Sequence, residues 1–106
     1  MKKVFADAQY FVALINDKDQ SHPAALAISQ TLQGVTVVTT EEALTEVLAF
    51  FSERDRYLRQ VAAAYVDDLL SDPDIVVHPQ SHQTPISAAR KIINHLTVVL
   101  AIGRQR

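Results

Sequence analysis

The stretch VFADAQYFVALI, Val4–Ile15, decides the fold, because an apolar run changes at a single acid into a helical pattern. Lys3–Ala6 predict a first strand that ends directly before Asp7. After Asp7 the apolar residues recur at the spacing of one helix face, so a helix is predicted to begin there. The residues of this face are Tyr10, Phe11, Leu14 and Ile15. A strand that runs straight into a helix indicates the start of an α/β crossover.

The same succession of strand and helix recurs further along the chain. Val35–Val38 form a short β-branched run after Gly34 and predict a second strand. Thr39 and Glu42 match the S/T-x-x-E capping box, which predicts that a third helix begins there. Ile75–Val77 predict a third strand.

Helices are predicted between and after these strands. Ser21 is a plausible cap for a second helix that runs to about Leu32, and Glu53–Arg56 mark a corner before a fourth helix. Thr84 can cap a final helix, so residues 84–106 are predicted to be a divergent C-terminal helix. The apolar face of the third helix is Leu44, Val47, Leu48 and Phe51. Residues 96–102 are β-branched, and a fourth strand there is the alternative.

The alternation predicts one α/β domain over residues 1–106. Parallel strands require crossovers, so the sheet is expected to be small and parallel, with three to four strands flanked by helices on both faces. Apolar residues make up 48% of the 106 residues, which is typical of a globular chain. No cysteine is present, which excludes disulfides and thiolate metal sites.

Charge is unevenly distributed along the chain. Residues 1–74 hold all 12 acids against six Lys and Arg, whereas residues 75–106 hold four cationic residues and no acid. No basic stripe of the kind that tracks nucleic-acid phosphates is present. No signal peptide and no apolar run long enough to span a bilayer is found, so we expect a cytoplasmic protein with no membrane partner.

Two acids are candidates for chemistry. Asp7 follows the first strand, and ligands of such sheets bind beyond the carboxyl ends of the strands. Its carboxylate fits either a helix cap or a ligand for a hard cation, and both can hold together. Glu46 lies off the apolar face of the third helix, one turn before Phe50. That neighbour predicts a half-buried Glu46, which would need a partner such as a metal ion.

Three segments together resemble the N-terminal half of a PIN domain: Val4–Leu14, Val37–Thr40 and Leu44–Leu48. Asp17–Asp19, His22 and Ala25 fit the same pattern, and Ile75–His78 resembles the strand that follows in that family. The resemblance covers roughly residues 3–82 and implies a PIN-like three-layer sandwich.

The resemblance to PIN domains also implies a function. Such domains are nucleases that cut single-stranded RNA with Mg²⁺ or Mn²⁺, and VapC-like toxins are their common small bacterial form. Asp7 and Glu46 match the first two metal-binding acids, and Thr39 or Thr40 matches a hydroxyl near the site. The implied activity is that of a metal-dependent ribonuclease of a toxin–antitoxin pair.

The chain departs from the PIN pattern in its C-terminal part. The family places a third acid beyond the third strand, and nothing after Asp74 can fill that role. The pattern is lost after about Gln83, which indicates a truncated or divergent C-terminal region and an incomplete acidic site. The alternative function is therefore a catalytically inactive protein- or RNA-binding module. The apolar residues 96–102 predict a homodimer or the docking of a partner such as an antitoxin.

Overall fold

The structure, a computed structural model, describes residues 3–79 in full and residues 98–100 as backbone. The elements in chain order are β1 (Lys3–Ala6), α1 (Ala8–Ile15), α2 (His22–Ser29), β2 (Thr36–Thr40), α3 (Glu41–Ser52), α4 (Arg56–Ser71), β3 (Ile75–His78) and β4 (Val98–Leu100). Within the described residues, no helix is both long enough and apolar enough to cross a membrane.

The four strands form one parallel sheet in the order β3-β2-β1-β4. Val4 of β1 pairs with Val37 of β2 on one side and with Val98 of β4 on the other. The predicted α/β fold with a small parallel sheet is confirmed. The strand alternative for 96–102 is confirmed at Val98–Leu100, so the predicted C-terminal helix over 84–106 was wrong at these three residues. The rest of that predicted helix, residues 84–97 and 101–106, lies outside the described residues.

The core forms around the central strand. Val4, Phe5 and Ala6 are all buried, which is the pattern of a parallel strand covered on both faces. Helix α1 packs against α2, α3 and α4, and α3 packs against α4. Phe11 and Phe51 are fully buried between these elements, and each such side chain contributes about 1.5–3 kcal/mol through its burial.

One predicted helix end and one residue of a predicted apolar face were wrong. Helix α2 ends at Ser29 instead of Leu32, and Ser21 occupies the cap position without a side-chain cap hydrogen bond. The chain then turns through Gly34, whose φ of 74° favours glycine. On α3, Leu48 is 40% exposed, whereas the other three residues of its predicted apolar face are buried.

The predicted capping box at Thr39 and Glu42 was also wrong. Strand β2 continues through Thr40, because Thr39 pairs with Val77 and Thr40 pairs with His78 of β3. Thr40 is the cap of α3, and its Oγ1 accepts a hydrogen bond of 3.1 Å from the Ala43 N–H. Both threonines have a side chain that can cap a helix. The pairing of β2 with β3 extends the strand through Thr40, and Thr40 is therefore the residue that caps α3.

Thr39 instead joins the two central strands. Its side chain is fully buried, and its hydroxyl donates a hydrogen bond of 2.8 Å to the carbonyl oxygen of Ala6. Ala6 is the last residue of β1, directly before Asp7. A buried hydroxyl with this partner fixes the end of β2 against the end of β1.

Replacing Thr39 with valine tests this link. Val keeps the shape and loses the hydroxyl, so Thr39→Val is expected to lower the free energy of unfolding by about 1–3 kcal/mol. Thr45→Val is the matched control, because the Thr45 hydroxyl also donates to a carbonyl, that of Glu41, but is exposed. Urea unfolding should show a change within about 0.5 kcal/mol for that control. Equal changes in the two variants would contradict the assigned role of Thr39.

A pair of tyrosines packs beside the core. The ring of Tyr65 lies 6.3 Å from that of Phe11, and the ring of Tyr10 lies 5.5 Å from the same Phe11. Burial, with a smaller contribution from the nearby Tyr10, raises the pKa of Tyr65 well above its usual range. Burial also raises the pKa of Tyr10. The folded state therefore favours the neutral phenols.

This shift predicts a loss of stability in alkali. In the unfolded chain, Tyr65 ionises near its ordinary pKa of about 10. The contribution of the buried, neutral phenol to the free energy of unfolding is therefore complete below that pH and declines as the pH rises above it. Tyr65→Phe should lose less stability than the wild type between about pH 10 and 12. Tyr57→Phe, at a tyrosine that is 72% exposed, is the matched control. Unfolding free energies that fall in parallel for wild type and Tyr65→Phe would refute the shift.

Candidate functional site

Asp7 lies at the carboxyl end of the central strand. It joins β1 to α1 with extended backbone angles, φ −94° and ψ 169°, and it is the N-cap residue of α1. One carboxylate oxygen, Oδ1, accepts a hydrogen bond of 2.7 Å from the Ala8 N–H. The cap interpretation of Asp7 is thus correct, and the cap uses one of its two oxygens. The half-buried carboxylate is held at the edge of the sheet where ligands bind.

Glu46 lies on a different element, a helix that begins at the same edge of the sheet. Helix α3 begins directly after Thr40, at the carboxyl end of β2, and it packs against α1. Glu46 lies five residues after Glu41, the first residue of α3, or about 8 Å along the axis. The prediction that Glu46 is half-buried was wrong, because its side chain is exposed. Solvent therefore satisfies this carboxylate without a partner.

The two threonines proposed near the site have structural hydrogen bonds. Thr39 donates to Ala6, and Thr40 accepts from Ala43. Thr39 and Thr40 are the last two residues of β2, which pairs with β1, the strand that Asp7 follows. In the described structure these hydroxyls position the edge of the sheet.

The carboxylate oxygens of the candidate site are of the kind that a hard cation prefers, but there are few of them. Carboxylate oxygens are what Mg²⁺ and Mn²⁺ prefer. Among the described residues no three His, Asp or Glu side chains are grouped so that they could hold a metal ion. All 12 acids of the chain fall within those residues. A Mg²⁺ ion is commonly bound by one or two carboxylates together with a substrate phosphate, so such an ion does not require three protein carboxylates.

The acids of α4 and of the turn before β3 do not supply a third ligand at this edge. Asp72 and Asp74 precede β3 and therefore lie at the amino ends of the strands, opposite Asp7. Asp67 and Asp68 are exposed on α4. A cavity of about 330 Å³ lies at the same opposite edge, with Gly34, Asp72 and Asp74 in its wall. It is separate from the edge that carries the candidate site.

The contact between Arg54 and Phe50, close to Glu46 on α3, was not predicted from the sequence. The guanidinium carbon of Arg54 lies 4.3 Å from the centre of the Phe50 ring. Phe50 is itself 37% exposed and lies one turn after Glu46 on the same flank of α3. The i, i+4 spacing of an aromatic residue and an arginine was the signal that could have indicated this pair.

Comparisons with known proteins support the fold. No protein-family model matches the sequence, and no curated protein matches it. Among solved structures, the chain is similar to the crystal structure of Mycobacterium tuberculosis VapC20, a toxin that cleaves the sarcin–ricin loop. The TM-score is 0.61 at 20% sequence identity, and the match covers 87% of this chain and 68% of that one. The fold is therefore PIN-like, as the resemblance implied.

Two substitutions of Asp7 separate its cap from its charge. Asn is as good a cap as Asp, so Asp7→Asn should change the free energy of unfolding by no more than a few tenths of a kcal/mol. Asp7→Ala removes the acceptor for the Ala8 N–H and should cost about 1 kcal/mol. Thermal unfolding followed by circular dichroism measures both. A destabilised Asp7→Asn with an unaffected Asp7→Ala would overturn the cap assignment.

Proposed function

We propose that this protein is a PIN-like endonuclease that cuts single-stranded RNA with Mg²⁺ or Mn²⁺ through an incomplete acidic site. The observation that carries the proposal is the acid at the end of the central strand of a VapC20-like fold. Glu46, on the helix that starts at the same edge, is its proposed partner. VapC20 is a toxin that cleaves RNA in the sarcin–ricin loop, and this supports the substrate class.

Each acid has a distinct proposed role. Asp7 is pre-oriented, because the helix cap and its partial burial hold the carboxylate in one place. Glu46 is exposed and can turn towards an ion that arrives with the substrate. A bound divalent ion supplies Lewis-acid stabilisation of the scissile phosphate and lowers the pKa of water. Asp7 and Glu46 would hold such an ion, and a phosphate of the RNA would complete its ligands.

A cleavage assay tests this proposal. With single-stranded RNA and Mn²⁺, Asp7→Asn and Glu46→Gln are each expected to reduce cleavage at least about 100-fold, which corresponds to the loss of about 3 kcal/mol of transition-state stabilisation. Asp68→Asn, which removes an exposed carboxylate from α4, is the control and should cleave like the wild type. Equal cleavage by wild type and Asp7→Asn would contradict the proposed role of Asp7.

The second candidate function is a PIN-like binding module without catalytic activity. It is favoured by one observation: among the described residues, no three His, Asp or Glu side chains are grouped so that they could hold a metal ion. Calorimetry with Mn²⁺ distinguishes the two candidates. Micromolar binding of the ion by the wild type, lost in Asp7→Asn, would argue against the binding module, whereas no binding with or without RNA would favour it.

The fold also suggests a biological setting. We infer a toxin of a toxin–antitoxin pair that acts in the cytoplasm, docks a cognate antitoxin and forms a homodimer through its C-terminal apolar residues. The likeness to a toxin supports the antitoxin, and the apolar composition of residues 96–102, of which Val98–Leu100 form the edge strand β4, supports the dimer. Light scattering checks the dimer, and a stable monomer at high concentration would contradict it.

A further inference from the structure

We propose that Phe50 and Arg54 form a base-stacking subsite for single-stranded RNA on the exposed flank of α3. The subsite would bind one unpaired nucleobase of a strand whose backbone passes the acidic edge. The inference rests on the proposed function in taking RNA as the ligand, and it adds the residues that would bind the RNA beside the acids. It does not require that the acidic site be active.

The geometry is that of a stack anchored on the core. The Phe50 ring meets the Phe51 ring at an interplanar angle of 80°, with centroids 5.0 Å apart. Phe51 is 1% exposed, so this contact fixes Phe50 against the interior. The guanidinium of Arg54 then covers the Phe50 ring at 4.3 Å. A planar guanidinium held over a ring is a surface on which an unpaired base stacks.

The charges nearby suit a phosphate backbone. The described residues include five Lys and Arg, and three of them, Arg54, Arg56 and Arg59, lie within one six-residue stretch. All three are exposed. Asp55, between them, accepts a hydrogen bond from the Leu58 N–H and so caps α4. With Glu53 and Asp55 counted, residues 53–59 carry a net charge of +1, whereas residues 1–74 as a whole carry −6, so this corner repels a polyanion less than the acidic remainder of the described surface does.

The position of the pair fits a strand that continues from the acids. Phe50 follows Glu46 by four residues, which is about 6 Å along α3. The two residues lie on the same flank of the helix, outside the buried face of Ala43, Leu44, Val47 and Phe51. A nucleotide next to the one at the acids could therefore place its base on Arg54.

An RNA strand suits this surface better than a second protein does. An apolar partner would require an uncovered apolar face, whereas the face of Phe50 is covered by a cation. A stacked cation between exposed arginines matches a ligand that has flat bases and negative phosphates. A protein partner would show itself in the experiment as a change in assembly.

The test measures RNA binding with no metal present. Fluorescence anisotropy in EDTA follows a labelled oligoadenylate of about 12 nucleotides, a length within the usual range for such sites. Arg54→Lys and Arg59→Lys are the matched pair, because both keep the charge and only Arg54 lies over a ring. Phe50→Leu removes the ring and keeps an apolar side chain. Sedimentation velocity and urea unfolding are recorded for every variant.

The expected results separate stacking from simple charge. Arg54→Lys and Phe50→Leu should weaken binding of the oligoadenylate by about 5- to 100-fold, and Arg59→Lys by less than about 2-fold. Arg59→Gln should weaken binding and lower its salt dependence by about one phosphate contact. Binding of an abasic ribose-phosphate oligomer should be unaffected by Arg54→Lys.

Several results would overturn the inference. Equal binding by Arg54→Lys and Arg59→Lys would leave only a charged surface, and a shift in sedimentation by Phe50→Leu without a change in RNA binding would assign the pair to a protein interface. Failure of the wild type to bind the oligoadenylate would also overturn it. Loss of cleavage alone bears on the acids: if the protein cuts no RNA but Arg54→Lys weakens binding, the nuclease proposal fails and the subsite stands.

Discussion

The structure depends on the burial of β1 between two parallel neighbours. A strand in this position must be apolar on both faces, and Val4, Phe5 and Ala6 meet that requirement. The chain can first expose a polar side chain where the strand ends, and that residue is Asp7. The buried bond from the Thr39 hydroxyl to the Ala6 carbonyl then fixes the end of β2 at the same level. The helix that carries Glu46 begins one residue after Thr40, the last residue of β2, so the same constraint sets where that helix begins.

The sequence predicted the opening elements of the fold better than it predicted the residues of the candidate site. The opening strand and its helix were predicted at Lys3–Ala6 and after Asp7, because a buried run followed by a helical period has few other interpretations. The cap of α3 was misassigned to Thr39, because two adjacent threonines have the same local chemistry and only pairing with β3 distinguishes them. Local sequence patterns do not specify the order of the strands in the sheet. That order determined the role of Thr39.

The exposure of side chains was the other quantity that periodicity predicted poorly. Leu48 falls on the apolar face of α3 by spacing, yet it lies at the margin of the packed surface and stays 40% exposed. Glu46 was expected to be half-buried because Phe50, one turn away, indicated a partly buried second face, but Phe50 is itself 37% exposed and lies under the guanidinium of Arg54. Contacts of this kind depend on the rotamers of long side chains, which the order of residues does not specify.

In the proposed site, Asp7 and Glu46 would hold a metal ion whose remaining ligands include a phosphate of the RNA. Two carboxylates and a substrate phosphate are enough to hold Mg²⁺ or Mn²⁺ together, although the two carboxylates alone hold a hydrated ion weakly. Binding of the ion and of RNA must then be mutually favourable, and each must raise the affinity for the other by the same factor. The most direct measurement is the affinity for a non-cleavable single-stranded RNA analogue, with and without Mn²⁺, in the wild type and in Asp7→Asn. The account predicts that Mn²⁺ tightens binding by about 5- to 100-fold in the wild type and leaves Asp7→Asn unchanged. An affinity that Mn²⁺ does not alter in the wild type, or raises equally in both proteins, would contradict it.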